Sequence, residues 1–199
     1  MSSPRPQSPK ARLFVALELP EDVREGIVAW QRRELRDPAL RPTRPEALHM
    51  TLAFLGHHPE EAIEEIAGAA LVEGLAAPRM RLAPEPVGVP RGRHPRLYAL
   101  EAASEGAVEL QGRVSASLRA AGFYEPEKRP FWPHLTVARV RSEGRGSKRP
   151  ASVSRAPGAL PEAFEHTFVS VRMRLYRSYL RQQGAEYVSL ASLELNPDS

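Results

Sequence analysis

The 199-residue chain contains no cysteine. That absence excludes disulfide frameworks, thiolate zinc sites, iron–sulfur clusters and cysteine nucleophiles, leaving chemistry carried by His, Ser, Thr, carboxylates or a metal without thiolate ligands. Long apolar runs are missing too. Stretches such as Leu13 to Leu17 fall far short of the roughly 20 residues a membrane span needs, and Met1 to Lys10 holds no apolar core of a secretory signal. A soluble, cytoplasmic protein without a membrane partner is expected. Lysine is scarce: of 28 Lys+Arg, set against 24 Asp+Glu, only Lys10, Lys128 and Lys148 are lysine. The net charge of +4 is a weak pointer to nucleic acid, because what matters is where the charge sits. A chain of this length buries about 70% of the surface its unfolded form exposes, so it needs neither disulfide nor structural metal to hold a core.

The N-terminal Ser- and Pro-rich stretch reads as a disordered tail over residues 1–11, followed by one bilobed domain over 12–195. The patterning predicts strands at Leu13–Leu19, Leu48–Leu55 (ended by Gly56), Met80–Val87, Arg96–Ala102, Trp132–Val140, Phe164–Leu175 and Glu186–Leu195. The last two are separated by a turn at Gln182-Gln183-Gly184. Helical spacing of apolar residues predicts helices at Glu21–Leu35, Glu60–Leu75 and Gly106–Ala121. Strands interleaved with three helices, several of them close enough for hairpins, indicate an α+β fold. Residues 141–161 are rich in Gly, Ser, Pro and Arg and poor in large apolar side chains. They read as a flexible basic loop that starts at the rim of any site built on the preceding strand.

One internal similarity carries chemistry. Leu48-His49-Met50-Thr51-Leu52-Ala53-Phe54 and Pro133-His134-Leu135-Thr136-Val137-Ala138-Arg139 share the pattern His-apolar-Thr-apolar-Ala, 85 residues apart. With six histidines and four threonines in the chain, about 0.1 His-x-Thr triplets are expected by chance. Two occur. In a strand, residues i and i+2 project from one face, so each motif presents an imidazole beside a hydroxyl while its apolar residues anchor the strand. Two such strands side by side would bring two proton-transfer groups and two anion donors to one cleft, an arrangement suited to a phosphoryl group attacked on one side and losing an oxygen on the other. Metal ligation through His57 and His58 is the competing reading. No Asp accompanies them, and solvated turn positions fit them better. His94 and His166 stand alone and read as surface residues.

With these motifs the chain resembles the 2H phosphoesterases, and within them the RNA 2',3'-cyclic phosphodiesterases first called 2'-5' RNA ligases. The similarity runs from Arg12-Leu13-Phe14-Val15-Ala16-Leu17 through both His-x-Thr motifs to Leu175-Tyr176-Arg177-Ser178 and Gly184-Ala185-Glu186-Tyr187. It implies a duplicated fold, with two antiparallel sheets facing a central groove and helices outside. It also implies metal-independent, cofactor-free opening of an RNA terminal 2',3'-cyclic phosphate to a 2'-phosphomonoester, with reversible 2'-5' ligation as the companion reaction. In the same resemblance His49 is the proton donor, His134 the proton acceptor, and Thr51 and Thr136 hold the phosphate oxygens. Arg139 neutralises the phosphate, although strict alternation puts it on the face opposite His134, so a strand end or bulge must turn it inward. Tyr98, Phe131 and Trp132 are candidates to stack on the terminal base. A monomer is expected. The alternatives are a phosphodiesterase for another small cyclic or 2'-5'-linked nucleotide, and a non-catalytic RNA-binding module.

Overall fold

The computed structural model describes residues 9–164, 166–181 and 184–197. Ten strands are present among them: β1 (Lys10–Glu18), β2 (Leu40–Pro42), β3 (His49–Pro59), β4 (Arg79–Leu82), β5 (Val87–Val89), β6 (Leu97–Ala103), β7 (His134–Val140), β8 (Phe168–Val169), β9 (Arg172–Arg181) and β10 (Gly184–Glu194). Three α-helices join them: α1 (Glu21–Glu34), α2 (Ile63–Ala70) and α3 (Glu105–Ala120). No helix among the described residues is long and apolar enough to cross a membrane.

The strands run β10-β9-β1-β3-β7-β6-β4-β8, with β2 on β7 and β5 on β6, and every ladder is antiparallel. The two halves of this sheet meet at a single paired position, Met50 opposite Leu135. Met50 and Leu135 are the middle residues of the two His-x-Thr motifs. Antiparallel pairing therefore relates the motifs by a local twofold through the seam, turning His49 toward Thr136 and Thr51 toward His134. On the other face of the seam Met50 and Leu135 are fully buried. They join a core formed by Leu13, Val15 and Leu17 of β1, Ile27 and Trp30 of α1, and Val114 and Leu118 of α3.

The sheet explains why β1 reads as a continuous apolar run. It lies between β3 and β9 and is covered on both faces. Leu13, Val15 and Leu17 face the helices, while Phe14 and Ala16 join Tyr176 and Tyr187 in a small aromatic cluster on the other side.

Several boundaries differ from the sequence expectation. The expected N-terminal tail lies outside the described residues over 1–8, and its inner end at Lys10 and Ala11 belongs instead to β1. Gly56 does not end β3. It adopts φ 81° at a bulge, and pairing with β1 continues to Pro59. The helix expected over Glu60–Leu75 is α2 after a short 3-10 turn, because the backbone beyond Leu71 turns to bond the C-terminal segment, with the Ala77 amide donating to the Asn196 carbonyl. Pro84 and Pro86 divide the expected strand Met80–Val87 into β4 and β5. Of the expected turn, Gln182 and Gln183 lie outside the described residues.

The basic segment 141–161 is irregular but tied down. The Asp37 carboxylate accepts from the Ser154 amide (2.8 Å), the Ser154 hydroxyl (2.7 Å), the Arg155 amide (2.9 Å) and the Ala39 amide (2.8 Å). These donors hold the carboxyl down to about 2, led by the Ser154 hydroxyl. The Trp30 indole donates to the Gly158 and Ala159 carbonyls, and Leu160 is buried.

Candidate active site

β3 and β7 open away from the seam around a cavity of about 750 Å³. His49, Thr51, His134, Thr136 and Arg139 all line it, so the structure gathers the four motif groups and the arginine at one place.

Arg139 reaches the groove through a bulge. Ala99 of β6 pairs with Thr136 and the next residue back, Tyr98, pairs with Ala138, leaving Val137 as an extra residue. Val137 and Ala138 are consequently both buried, alternation is shifted by one, and Arg139 returns to the face of His134 and Thr136. β3 repeats the device. Ala16 pairs with Thr51 and Val15 with Ala53, so Leu52 is the extra residue, Leu52 and Ala53 are both buried, and Phe54, 58% exposed, turns to the groove. The same motif position therefore carries an arginine in one half and a phenylalanine in the other.

The two histidines sit in different surroundings. His49 packs against Phe14 (ring centroids 5.0 Å), stacks with Tyr176 (5.8 Å) and meets the edge of Tyr187 (5.2 Å). Its Nδ1 is buried and has no hydrogen-bond partner among the described residues. Burial, reinforced by the charges of Arg139 and His134, pushes His49 down to about 4, so these surroundings favour its neutral form. His134 instead lies flat on Trp132, with centroids 4.4 Å apart at 16°. Its Nδ1 donates to the Trp132 carbonyl at 2.8 Å, because a carbonyl can only accept. In the neutral ring this bond leaves Nε2 as the accepting nitrogen.

The expected base-stacking residues are not at the cavity. Tyr98 is 7% exposed and part of the core; it is the β6 partner at the β7 bulge. Phe131 is half-buried against the same core, and Trp132 is committed to His134. The aromatic residues that line the cavity are Phe14, Phe54 and Tyr187.

Arg12, Arg41 and Arg44 line the groove with Arg139, and among the described residues no carboxylate lines it. Arg41 lies opposite Arg139 across the β2–β7 ladder. Arg44 donates to the Ala185 carbonyl at 2.7 Å and pairs with the exposed Glu46 at 3.2 Å. The buried Ser178 hydroxyl, another lining group, has no partner among the described residues. No pattern in the sequence marks these residues as a set, since β1, the β2 region and β9 converge only in the folded sheet. The basic segment, which leaves β7 just after Arg139, contributes no residue of 141–161 to the cavity lining. The rival metal site is dispersed as well. His58 bonds the Leu55 carbonyl through Nε2 (3.0 Å) and meets Phe123 edge-on, while His57 pairs with Arg12 in the β1–β3 ladder. Among the described residues no three of His, Cys, Asp or Glu gather at one point.

A pair of His-x-Thr strands facing one cationic groove in an α+β fold defines a two-histidine phosphoesterase. The family model described as LigT like Phosphoesterase matches residues 17–84. An RNA 2',3'-cyclic phosphodiesterase of Thermus thermophilus is 31% identical over 192 residues, covering 92% of this chain and 90% of that relative. One of Escherichia coli is 27% identical over 182 residues, covering 90% and 93%. Among solved structures, one from Thermus thermophilus superposes with a TM-score of 0.76 at 29% identity, covering 94% of this chain and all of that one. Escherichia coli LigT complexed with NADP+ gives a TM-score of 0.70 at 25% identity, covering 95% and 99%. The chain belongs to the RNA 2',3'-cyclic phosphodiesterase family.

Proposed function

We propose that the chain hydrolyses the terminal 2',3'-cyclic phosphate of RNA to a 2'-phosphomonoester, with His49 as proton donor and His134 as proton acceptor. The observation that carries this reading is the placement of the two His-x-Thr pairs across one seam, with Arg139 turned in beside them. A water oxygen attacks phosphorus as His134 Nε2 takes its proton. The P–O3' bond breaks, and His49 delivers a proton to the departing O3', leaving the phosphate on O2'. Thr51, Thr136 and Arg139 hold the non-bridging oxygens by charge-assisted hydrogen bonds. A 5'-hydroxyl in place of water gives a 2'-5' linkage through the same proton transfers, so ligation is the same chemistry with a different nucleophile.

His49 must be protonated to act as the acid, yet its buried surroundings favour the neutral form. The substrate supplies the missing charge. A phosphate anion beside His49 favours its charged form and reverses the effect of burial. The cations Arg12, Arg41 and Arg44 along the same groove support an RNA end, with further phosphates to contact, over a small cyclic nucleotide. With both histidines placed beside hydroxyl groups, catalysis is favoured over passive RNA binding. We further propose that the chain acts as a monomer in the cytoplasm.

The test is incubation with a dinucleotide ending in a 2',3'-cyclic phosphate, in the presence of EDTA because arginine and hydroxyl groups carry the charge handling. Turnover to the 2'-phosphomonoester is expected. A 3'-phosphomonoester, or turnover only after a divalent metal is restored, would overturn the reading.

A further inference from the structure

The buried face of α1 carries one polar side chain. Val23, Ile27, Trp30 and Gln31 form that face, and Gln31 is 4% exposed. An amide buried there without partners would cost stability, but Gln31 has partners. Its Nε2 donates to the Val137 carbonyl at 2.7 Å and to the Thr43 carbonyl at 3.0 Å, which uses both hydrogens of the amide nitrogen.

The identity of the first acceptor gives the contact its meaning. Val137 is the extra residue of the β7 bulge, two positions before Arg139. Its carbonyl also accepts from the Thr43 amide at 2.9 Å. Gln31 thus clamps the bulge to the strand-like segment that follows β2. If the bulge slipped out, alternation would return by one residue and Arg139 would turn from the groove toward the core. The corresponding β3 bulge at Leu52 turns Phe54, an apolar side chain, to the groove, where no ionic group depends on the register.

We propose that Gln31 is a positioning residue: by holding the Val137 carbonyl it fixes the β7 bulge and so aims the Arg139 guanidinium at the substrate phosphate. The assignment of that phosphate rests on the function proposed above, whereas the coupling between Gln31 and Arg139 does not require turnover. Gln31 touches no reacting atom. Met fills a similar volume without a donor, so Gln31→Met isolates the hydrogen bonds.

The experiment is a double-mutant cycle of Gln31→Met and Arg139→Ala, read by kcat/KM on a dinucleotide 2',3'-cyclic phosphate and by calorimetric affinity for inorganic phosphate. Gln31→Met should reduce both quantities about tenfold or more when Arg139 is present, and less than about twofold when Arg139 is already alanine. Circular dichroism should show the fold retained. Equal losses in both backgrounds would reduce Gln31 to a general structural residue, and no loss in either would remove its role; each overturns the proposal. If coupling appears in phosphate affinity while the dinucleotide is not turned over by the wild type, the positioning role stands and the proposed activity falls. Should Gln31→Met fail to fold, Gln31→Asn keeps the polar amide but withdraws it by one methylene from the Val137 carbonyl, and is carried through the same cycle with the same criteria.

Discussion

The two halves of the active site share a backbone plan and differ in nearly everything around it. Each presents His-x-Thr on a strand whose next residue bulges, and each bulge turns the sixth motif residue into the groove. In the first half that residue is Phe54, and His49 sits among aromatic rings with a buried, unpartnered Nδ1. In the second it is Arg139, and His134 is held by the Trp132 carbonyl. In the proposed mechanism the two His-x-Thr motifs supply two proton carriers, and the divergent surroundings separate their roles. Pairs of titratable groups placed in contrasting environments are how one site performs both acid and base steps near neutral pH.

The largest effects should come from removing either carrier. His49→Ala and His134→Ala are each expected to reduce turnover by about 10²- to 10⁴-fold, the contribution of a positioned acid or base, with circular dichroism unchanged. A variant keeping more than about a tenth of wild-type turnover would break the division of labour, since tenfold is only about 1.4 kcal/mol of barrier.

Next in size are the anion-holding groups. Arg139→Ala should cost more than Thr51→Ala or Thr136→Ala, because each threonine removes one hydrogen bond from an anion that other donors still hold. Steady-state kinetics of the three variants order them, and equal losses would mean that the arginine half of the comparison has no special weight.

The stability of the free protein offers a third test. His49 titrates near 6.5 in the unfolded chain and at about 4 in the fold. The unfolded state therefore binds more protons between those values, so the contribution of His49 to stability is complete above about pH 6.5 and diminishes as pH falls toward 4. Its span is at most about 3 kcal/mol. Urea midpoints measured between pH 7 and pH 4.5 should fall less steeply for His49→Asn than for the wild type. Parallel slopes would show that the aromatic wall does not depress His49. Asp37, depressed to about 2 from 3.8, loses its contribution only below about pH 4, outside this range.

The smallest effect separates the groove from the basic segment. Replacing Arg141, Arg145, Lys148 and Arg149 with Ser should change KM for an oligonucleotide less than about twofold, because none of them lines the cavity. Arg41→Gln should raise it more, and more at low salt, as loss of a phosphate contact does. The opposite ranking would restore the segment to the substrate path.

The motif histidines and threonines were legible because strand alternation is local: knowing that Leu48–Leu55 and Trp132–Val140 are strands puts His and Thr on one face. The bulges were not, because Leu52 and Val137 become extra residues only against β1 and β6, whose register is a tertiary property. The position of Arg139 could be stated as a requirement without its cause. Tyr98 was misplaced for a related reason, since an aromatic residue on a strand gives no sign of which face is buried. The groove arginines come from separate elements that are distant in the chain. Asp37 and Trp30 anchor residues 154–159 through contacts that composition alone cannot reveal, which is why that stretch read as a loop at the groove rim.

The most direct test of the divided pair is the titration of His49 by NMR, with His49→Asn used for assignment, in the free protein and in the complex with a 2'-phosphomonoester nucleotide. A divided pair requires a value near 4 in the free protein and a rise to about 6 or more on binding, as the phosphate anion stabilises the imidazolium. A bound value that stays near 4 would leave His49 unable to give up a proton at neutral pH and would contradict its assignment as the acid.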